Sequence, residues 1–200
     1  MNEEMTWVLQ AQQGSDEAFT RIVETYQTPV FNLCYRMLGE EQAAEDAAQE
    51  TFLRVFQHLN RYDRKRPFAT WLLSIAAHYC IDRLRRRKIS FFSMDEADES
   101  ESGFELPDPA SPDPEAESIK REERDRLHGM LRHLDATDRA AIVMRYWHDF
   151  SEAEIAEALN LSVSAVKSRL HRARREMAGL WEGKPDRNRA QRRPNESPAF

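Results

Sequence analysis

Residues 138–177, DRAAIVMRYWHDFSEAEIAEALNLSVSAVKSRLHRARREM, decide the fold of this 200-residue chain. Ser151 followed three residues later by Glu154 is a capping box, the reciprocal pairing that opens a helix. Ile155, Ala156 and Leu159 then recur at the spacing of one buried helical face. Asn160-Leu161 makes a tight turn and Ser162 caps a second helix. That helix is predicted to bury Val163, Val166 and Leu170 and to expose Ser164, Lys167, Ser168, His171, Arg172, Arg174 and Arg175. A short helix, a turn of three or four residues and a basic helix with small polar residues at its start describe a helix-turn-helix, whose second helix suits the DNA major groove. The competing reading is a helical hairpin with a solvated basic face.

Outward from this unit the composition shifts. The 25 residues Met94–Ser118, MDEADESESGFELPDPASPDPEAES, hold ten acids, no base and four of the nine prolines. Too little of this stretch is apolar to build a core, so it is expected to be a disordered acidic linker over 93–118, extended by self-repulsion. It divides the chain into an N-terminal domain over 5–92 and a C-terminal domain over 119–181. From Glu182 the tail 182–200 shows no periodicity and is expected to be disordered. Charge is distributed in blocks: residues 1–60 carry 3 bases and 10 acids, and residues 61–93 carry 9 bases and 2 acids. The net charge of -6 and pI of about 5.6 therefore do not exclude a nucleic-acid partner, since phosphate contact depends on local surface.

The N-terminal half also has helical rhythm. Phe19, Ile22, Val23, Tyr26, Val30, Leu33, Cys34 and Met37 place a helix over 16–37, which Pro29 should kink or split. A second helix over 41–58 repeats the pattern through Ala44, Ala48, Phe52, Val55 and Phe56, continuing to Leu59. A third over 68–87 carries Leu72, Ile75, Ala76 and Tyr79. No useful strand alternation and no repeat is visible, so the fold class is all-α: two small helical domains joined by a flexible acidic linker.

Several functions are excluded or weakened. The longest stretch without a formal charge, Pro67–Ile81, is short of the roughly 18–20 residues that span a bilayer, and the N-terminus lacks a signal-peptide pattern. A cytoplasmic protein is expected. Cys34 and Cys80 lie in apolar helical patterns with no CxxC partner, and the six histidines lack ligand spacing, so no metal and no cofactor is expected. No nucleophile grouping or phosphate loop appears, which argues against an enzyme.

Two further constellations stand out. In AAEDAAQETFLRVF, Glu45, Asp46, Gln49 and Glu50 share one helix face, which is either a solvated surface or an acidic docking patch. In NRYDRKRPFATWLLSIAAHYCIDRLRRRK, basic groups interleave with Tyr62, Phe68, Trp71, His78 and Tyr79, a composition suited to a groove for single-stranded nucleic acid. Phe68 and Tyr79 are expected in the core, whereas Tyr62, in a charged loop, is expected to be exposed.

The phrases DEAFTRIVETYQTPVFNLCYRMLG, AEDAAQETFLRVF, FATWLLSIAAHYCIDRLRRRK and SEAEIAEALNLSVSAVKSRLHRARREM, in this order and spacing over about residues 8–180, resemble the extracytoplasmic-function (ECF) branch of the bacterial sigma-70 family. They are similar to its regions 2.1, 2.2, 2.3–2.4 and 4.2. The resemblance implies a non-enzymatic RNA polymerase sigma factor that directs promoter-specific initiation of a stress or envelope-response regulon. Its implied partners are core RNA polymerase (β′ clamp helices and β flap), promoter DNA as duplex and as melted non-template strand, and an anti-sigma factor. Residue by residue it implies that Asp46, Gln49, Glu50 and Leu53 contact polymerase. Tyr62, Trp71, His78, Arg83, Arg85 and Arg86 would serve the minus-ten element, with Tyr62 helping to hold a flipped base and His78 standing where the family's IA-x-N motif ends in Asn. Ser164, Lys167, Ser168, His171 and Arg172 would meet the minus-thirty-five element.

Overall fold

The computed structural model describes residues 3–93 and 114–183, with side chains over 3–89 and 122–183. Eight α-helices account for nearly all of the described residues: α1 Glu3–Gln12, α2 Asp16–Leu38, α3 Glu41–His58, α4 Phe68–Ser93, α5 Pro114–His133, α6 Ala136–Trp147, α7 Glu152–Ala158 and α8 Val163–Trp181, with a 3-10 turn at Leu59–Arg61. Helices α1–α4 form one bundle and α5–α8 a second. No helix among the described residues is long and apolar enough to cross a membrane.

Local chemistry sets the helix ends. Ser15 accepts from the Ala18 amide to open α2, and Gly39, in the left-handed region at φ 78°, donates its amide to the Tyr35 carbonyl to close it. This is the ending that glycine favours, because a Cβ is costly at positive φ. Asp135 caps α6, accepting from the Thr137 amide. Pro29 lies within an α2 that runs unbroken to Leu38, so the expected split does not occur; the helix is held along its length by α1, α3 and α4.

The core of the first bundle comprises Val8, Ile22, Val30, Leu33, Met37, Val55, Phe68, Leu72 and Ala76, all at most 1 % exposed. Cys34 and Cys80 are buried with it as free thiols. A hydrogen bond with Cys34, together with burial, raises the Cys80 pKa and keeps that group protonated. In α3 the buried stripe is Ala43, Ala44, Ala47, Thr51 and Val55. Phe56, expected in the core, is 57 % exposed and packs edge-to-face with Phe19, ring centres 5.0 Å apart. The small alanines let α3 approach α2 closely, which rotates the larger Phe56 out of the core. In α4, Leu73, Ala77 and Ile81 are buried as well, because the helix is covered by α2, α3 and the second bundle; its inward surface is wider than the expected Leu72/Ile75/Ala76/Tyr79 stripe.

Helix boundaries also move. Helix α4 continues six residues beyond the expected Arg87, and α5 begins at Pro114, inside the stretch assigned to the acidic linker. Proline suits the first turn of a helix, where its missing amide has no intrahelical partner to lose. The rest of the linker assignment, 94–113, and the tail from Lys184 lie outside the described residues.

The second bundle seats on α2 and α4. Its anchor is Arg139, 5 % exposed, which donates from Nη1 to the Met37 carbonyl of α2 and from Nη2 to the carbonyls of Arg132, at 2.9 Å, and Leu134, at 3.4 Å. Burial lowers the Arg139 pKa to about 10, so it stays protonated at neutral pH. A cation at the carbonyl end of α2 also complements the helix dipole there. Alongside, Arg36 stacks over Trp147 at 5.0 Å and Tyr35 meets the His128 ring edge-on at 4.6 Å.

Candidate nucleic-acid and polymerase interfaces

The helix-turn-helix is built as its sequence predicts. Ser151 Oγ accepts from the Glu154 amide at 3.2 Å, and the Glu154 carboxylate accepts from the Ser151 amide at 2.8 Å. The Ser151 hydroxyl, at 2.7 Å, and then the Ser151 amide donate to the Glu154 carboxylate and hold its pKa below the usual carboxylate range. Asn160 makes the turn at φ 54°, a left-handed conformation that asparagine tolerates better than most residues. Ser162 accepts from the Ala165 amide to open α8. Val166, Leu170 and Ala173 are buried, but Val163, expected inside, is 41 % exposed. As the first residue of α8 it lies at the edge of the contact with α7.

Ser164, Lys167, Ser168, His171 and Arg172 form one outward row on α8. Within the row the Ser168 hydroxyl donates to the Ser164 carbonyl at 3.0 Å, and both Lys167 and Arg172 are paired to other helices. Lys167 pairs with Glu152 at 3.7 Å. Arg172 holds Asp138 through two nitrogens, Nε at 3.0 Å and Nη2 at 2.9 Å, while Arg169 approaches the same carboxylate at 2.5 Å. Asp138 is 1 % exposed, so Arg172 locks α8 onto α6 as well as belonging to the outward row. Neither Asp138 nor Arg139 attracts notice in the sequence; the signal was a charged pair heading the apolar run AAIVM.

On α3, Asp46, Gln49 and Leu53 are exposed and Glu50 half-exposed, so the structure brings all four expected polymerase contacts onto one open face. Glu50 pairs with Arg54 at 2.7 Å, and Asp46 with Arg83 of α4 at 3.6 Å. Phe56 joins Leu53, both 57 % exposed, to give this acidic face an apolar margin, where the helical spacing had placed Phe56 in the core.

The minus-ten candidates separate into three groups. Tyr62 is 5 % exposed, a correction to its expected exposure. Its hydroxyl donates to the Arg66 carbonyl at 2.5 Å, and its ring packs against Phe68 and Trp71, each with centres 5.2 Å away. Burial raises the Tyr62 pKa, so the phenol stays protonated and donates. The loop Arg61–Pro67 folds over this ring, which is why a tyrosine flanked by charges is nonetheless buried; Trp71 remains half-exposed beside it. His78 and Arg85 lie on the side of α4 that meets the second bundle. His78 Nδ1 donates to the Ser74 carbonyl at 2.8 Å, and the Asn160 amide nitrogen stands 3.5 Å from Nε2. Arg85 reaches the Thr137 hydroxyl at 3.4 Å. Arg83 and Arg86 line a separate open groove with Glu40, Ala43 and Arg87. Among the described residues no group of three His, Cys, Asp or Glu side chains comes together to hold a metal.

Comparison with known proteins fits both bundles. Residues 22–89 match the family model for sigma-70 region 2 and residues 124–177 the model for sigma-70 region 4. The chain is 35 % identical over 170 residues to the ECF RNA polymerase sigma factor SigW of Bacillus subtilis, covering 84 % of this chain and 90 % of SigW. It belongs to the ECF branch of the sigma-70 family. This sigma factor is also 30 % identical over 176 residues to the RNA polymerase sigma factor CnrH of Cupriavidus metallidurans, covering 86 % of this chain and 91 % of CnrH. The solved structure of CnrH in complex with the cytosolic domain of CnrY superimposes with a TM-score of 0.66 at 26 % identity, over 91 % of this chain and 99 % of that one. The sigma factor RpoE of Bartonella quintana, solved with the anti-sigma factor NepR, shares the fold with a TM-score of 0.64 at 19 % identity, over 82 % and 96 % of the two chains.

Proposed function

We propose that this sigma factor docks on core RNA polymerase through the acidic and apolar face of α3, reads the melted minus-ten strand with α4 and the loop before it, and reads the minus-thirty-five duplex with α8. The observation that carries the reading is the outward row Ser164, Lys167, Ser168, His171 and Arg172, presented by a helix-turn-helix capped at both of its helices. Small polar and basic side chains on the solvent-facing side of a helix whose other side packs on α6 and α7 suit base edges and phosphates of the major groove.

In region 2, Trp71 is the ring available to stack on an unpaired base, and Tyr62 supports it from beneath while fixing the basic loop. Arg61, Arg64, Lys65, Arg83, Arg85 and Arg86 supply the positive field that tracks a strand backbone. No covalent chemistry is required: capture of unstacked bases shifts the duplex toward the open state by differential binding. Each domain's tethering to one polymerase raises its effective concentration at its own DNA element. An anti-sigma factor is a further expected partner, and initiation at stress or envelope-response promoters the expected output.

Run-off transcription with core RNA polymerase on a promoter library tests the assignment. Specific transcripts should appear only with the factor present and should be lost in an Asp46→Arg, Glu50→Arg variant. A factor that binds promoters but never changes the start sites chosen by core polymerase would be an ordinary helix-turn-helix regulator.

A further inference from the structure

We propose that α1 belongs to the strand-reading machinery: Gln12, its last residue, is a positioning residue that clamps the loop 59–67 and thereby sets the Trp71 ring for an unpaired base. The proposal rests on the assignment of that loop and α4 to the melted minus-ten strand. Helix α1 lies ahead of the residues that match the region 2 model, which begin at Ile22. It packs on α2 and on the 3-10 turn Leu59–Arg61.

Gln12, half-buried, uses both ends of its amide on the loop. Nε2 donates to the Leu59 carbonyl at 2.9 Å, and Oε1 accepts from Arg64 Nη2 at 3.5 Å. The Leu59 carbonyl is also the acceptor for the Tyr62 amide, at 3.1 Å, so the glutamine is fixed at the bond that turns Tyr62 inward. From there the path to the stacking ring is direct, since the Tyr62 and Trp71 ring centres are 5.2 Å apart. Arg61, Asp63, Arg64, Lys65, Arg66 and Pro67 are all exposed, so beyond Tyr62 the loop has little apolar burial to offset the entropy of ordering it and depends on hydrogen bonds. Tyr62 and Asp63 tie the loop to itself; Gln12 ties it to a helix.

The helix that carries Gln12 is anchored independently of the loop. Val8 is fully buried, and the Tyr26 hydroxyl donates to the Glu4 carboxylate. Gly14, at φ 92°, turns the chain so that the Ser15 amide closes on the Gln10 carbonyl at 3.0 Å. A side chain held on a packed helix can therefore impose one geometry on the loop. The chemistry also favours a neutral amide. Glutamate would accept from Arg64 but set an acceptor against the Leu59 carbonyl and offset a charge that faces the strand; lysine would donate to Leu59 but repel Arg64. An amide offers a donor to the one and an acceptor to the other without adding charge.

The test uses the full chain with Gln12→Met, which keeps the side chain's length and removes both bonds, and Gln12→Glu, which keeps only the one to Arg64. Amide hydrogen exchange over 59–66 should quicken about fivefold in both, the scale of one lost hydrogen bond, with exchange over α1 unchanged. On a promoter that the parent transcribes, both should bind core RNA polymerase and form closed complexes as the parent does. Open complexes, counted by permanganate reactivity of unpaired thymines, should fall by the same factor as the loop loosens. That split separates positioning from loss of fold, which would lower all three. Unchanged exchange in Gln12→Met overturns the clamp, and a Gln12→Glu that behaves as the parent overturns the part given to Leu59. A loop that loosens while opening persists overturns the positioning role. Trp71→Ala on the same promoter keeps the two readings apart. If it too opens DNA as the parent does, the assignment of the loop and α4 to the melted strand fails and the positioning role falls with it. Opening lost in Trp71→Ala but kept in Gln12→Met leaves that assignment standing and removes only the role of Gln12.

Discussion

Asp138 shows how one carboxylate determines what a DNA-contact mutation can mean. It is buried, and its two partners Arg169 and Arg172 are only partly so, at 29 % and 48 % exposed. Breaking a buried ion pair typically costs about 3–5 kcal/mol because a charge is stranded. Here the stranded guanidiniums can turn to water, so Asp138→Ala should lower stability by about 2 kcal/mol, read from the midpoint of chemical denaturation. Arg172→Ala should lose both stability and promoter affinity, whereas Ser168→Ala and His171→Ala should leave the midpoint in place. If Arg172→Ala proves as stable as the parent, the arginine is a free DNA contact and not a brace. Tyr62 is the parallel case in region 2. Tyr62→Phe keeps the ring against Phe68 and Trp71 and removes one hydrogen bond, worth about 1 kcal/mol. Strand opening, followed by permanganate reactivity of unpaired thymines, should nearly persist in Tyr62→Phe and fail in Trp71→Ala, because the proposed base stacking falls to the half-exposed ring of Trp71.

Among the described residues α7 is the shortest α-helix, and it depends most on its ends. Seven residues are too few to be stable alone, so the Ser151–Glu154 box and burial of Ile155 must hold it. Ser151→Ala should cost about 1 kcal/mol and, because α7 also covers α4, should broaden the distance between the domains; a stable variant with an unchanged distance would assign the hold on α7 to packing alone. This box, the Ser162 cap, the turn at Asn160 and the outward row of α8 were all legible in the sequence, because capping and helical periodicity are local rules. Less visible was everything decided by a neighbouring element. Phe56 has the spacing of a core residue and is outside it, since three alanines bring α3 closer to α2 than a phenylalanine allows. Tyr62 sits among charges and is inside, since the loop closes over it through a bond to the Arg66 carbonyl. Arg139 sits in an apolar run and is buried because α2 of the other domain offers it a carbonyl. Four linear motifs reveal the family, whereas the seam between the domains lies in contacts of residues such as Met37 and Arg139, 102 positions apart.

At the scale of the whole molecule that seam has a pH dependence of known sign. His148 and His128 both lie beside α2. Burial and the nearby Arg36 lower the His148 pKa from 6.5 to about 4, with Asp149 opposing; its ring meets Phe150 at 6.4 Å and its buried Nε2 has no hydrogen-bond partner among the described residues. His128 is lowered in the same direction by burial, Arg36 and Arg132, against Asp125. A histidine kept neutral in the folded state takes up its proton first in the unfolded state, so the unfolded state binds more protons between the two pKa values and stability falls as the medium is acidified. The contribution is intact above about pH 6.5, declines toward about pH 4, and below that both states carry the proton and the slope vanishes. Because the positive charges facing both rings include Arg36, which itself stacks on Trp147 across the seam, protonation repels the residue that helps hold the domains together. Denaturation midpoints of the parent should therefore drop from pH 6.5 to pH 4 more steeply than those of a His128→Gln, His148→Gln variant, in which neither ring can charge, and the distance between the domains should broaden over the same interval in the parent alone. Carboxylates such as Glu154, whose pKa is also lowered, add a slope common to both proteins, so the difference between the curves isolates the histidines. Parallel curves would mean that neither ring is held neutral by the seam.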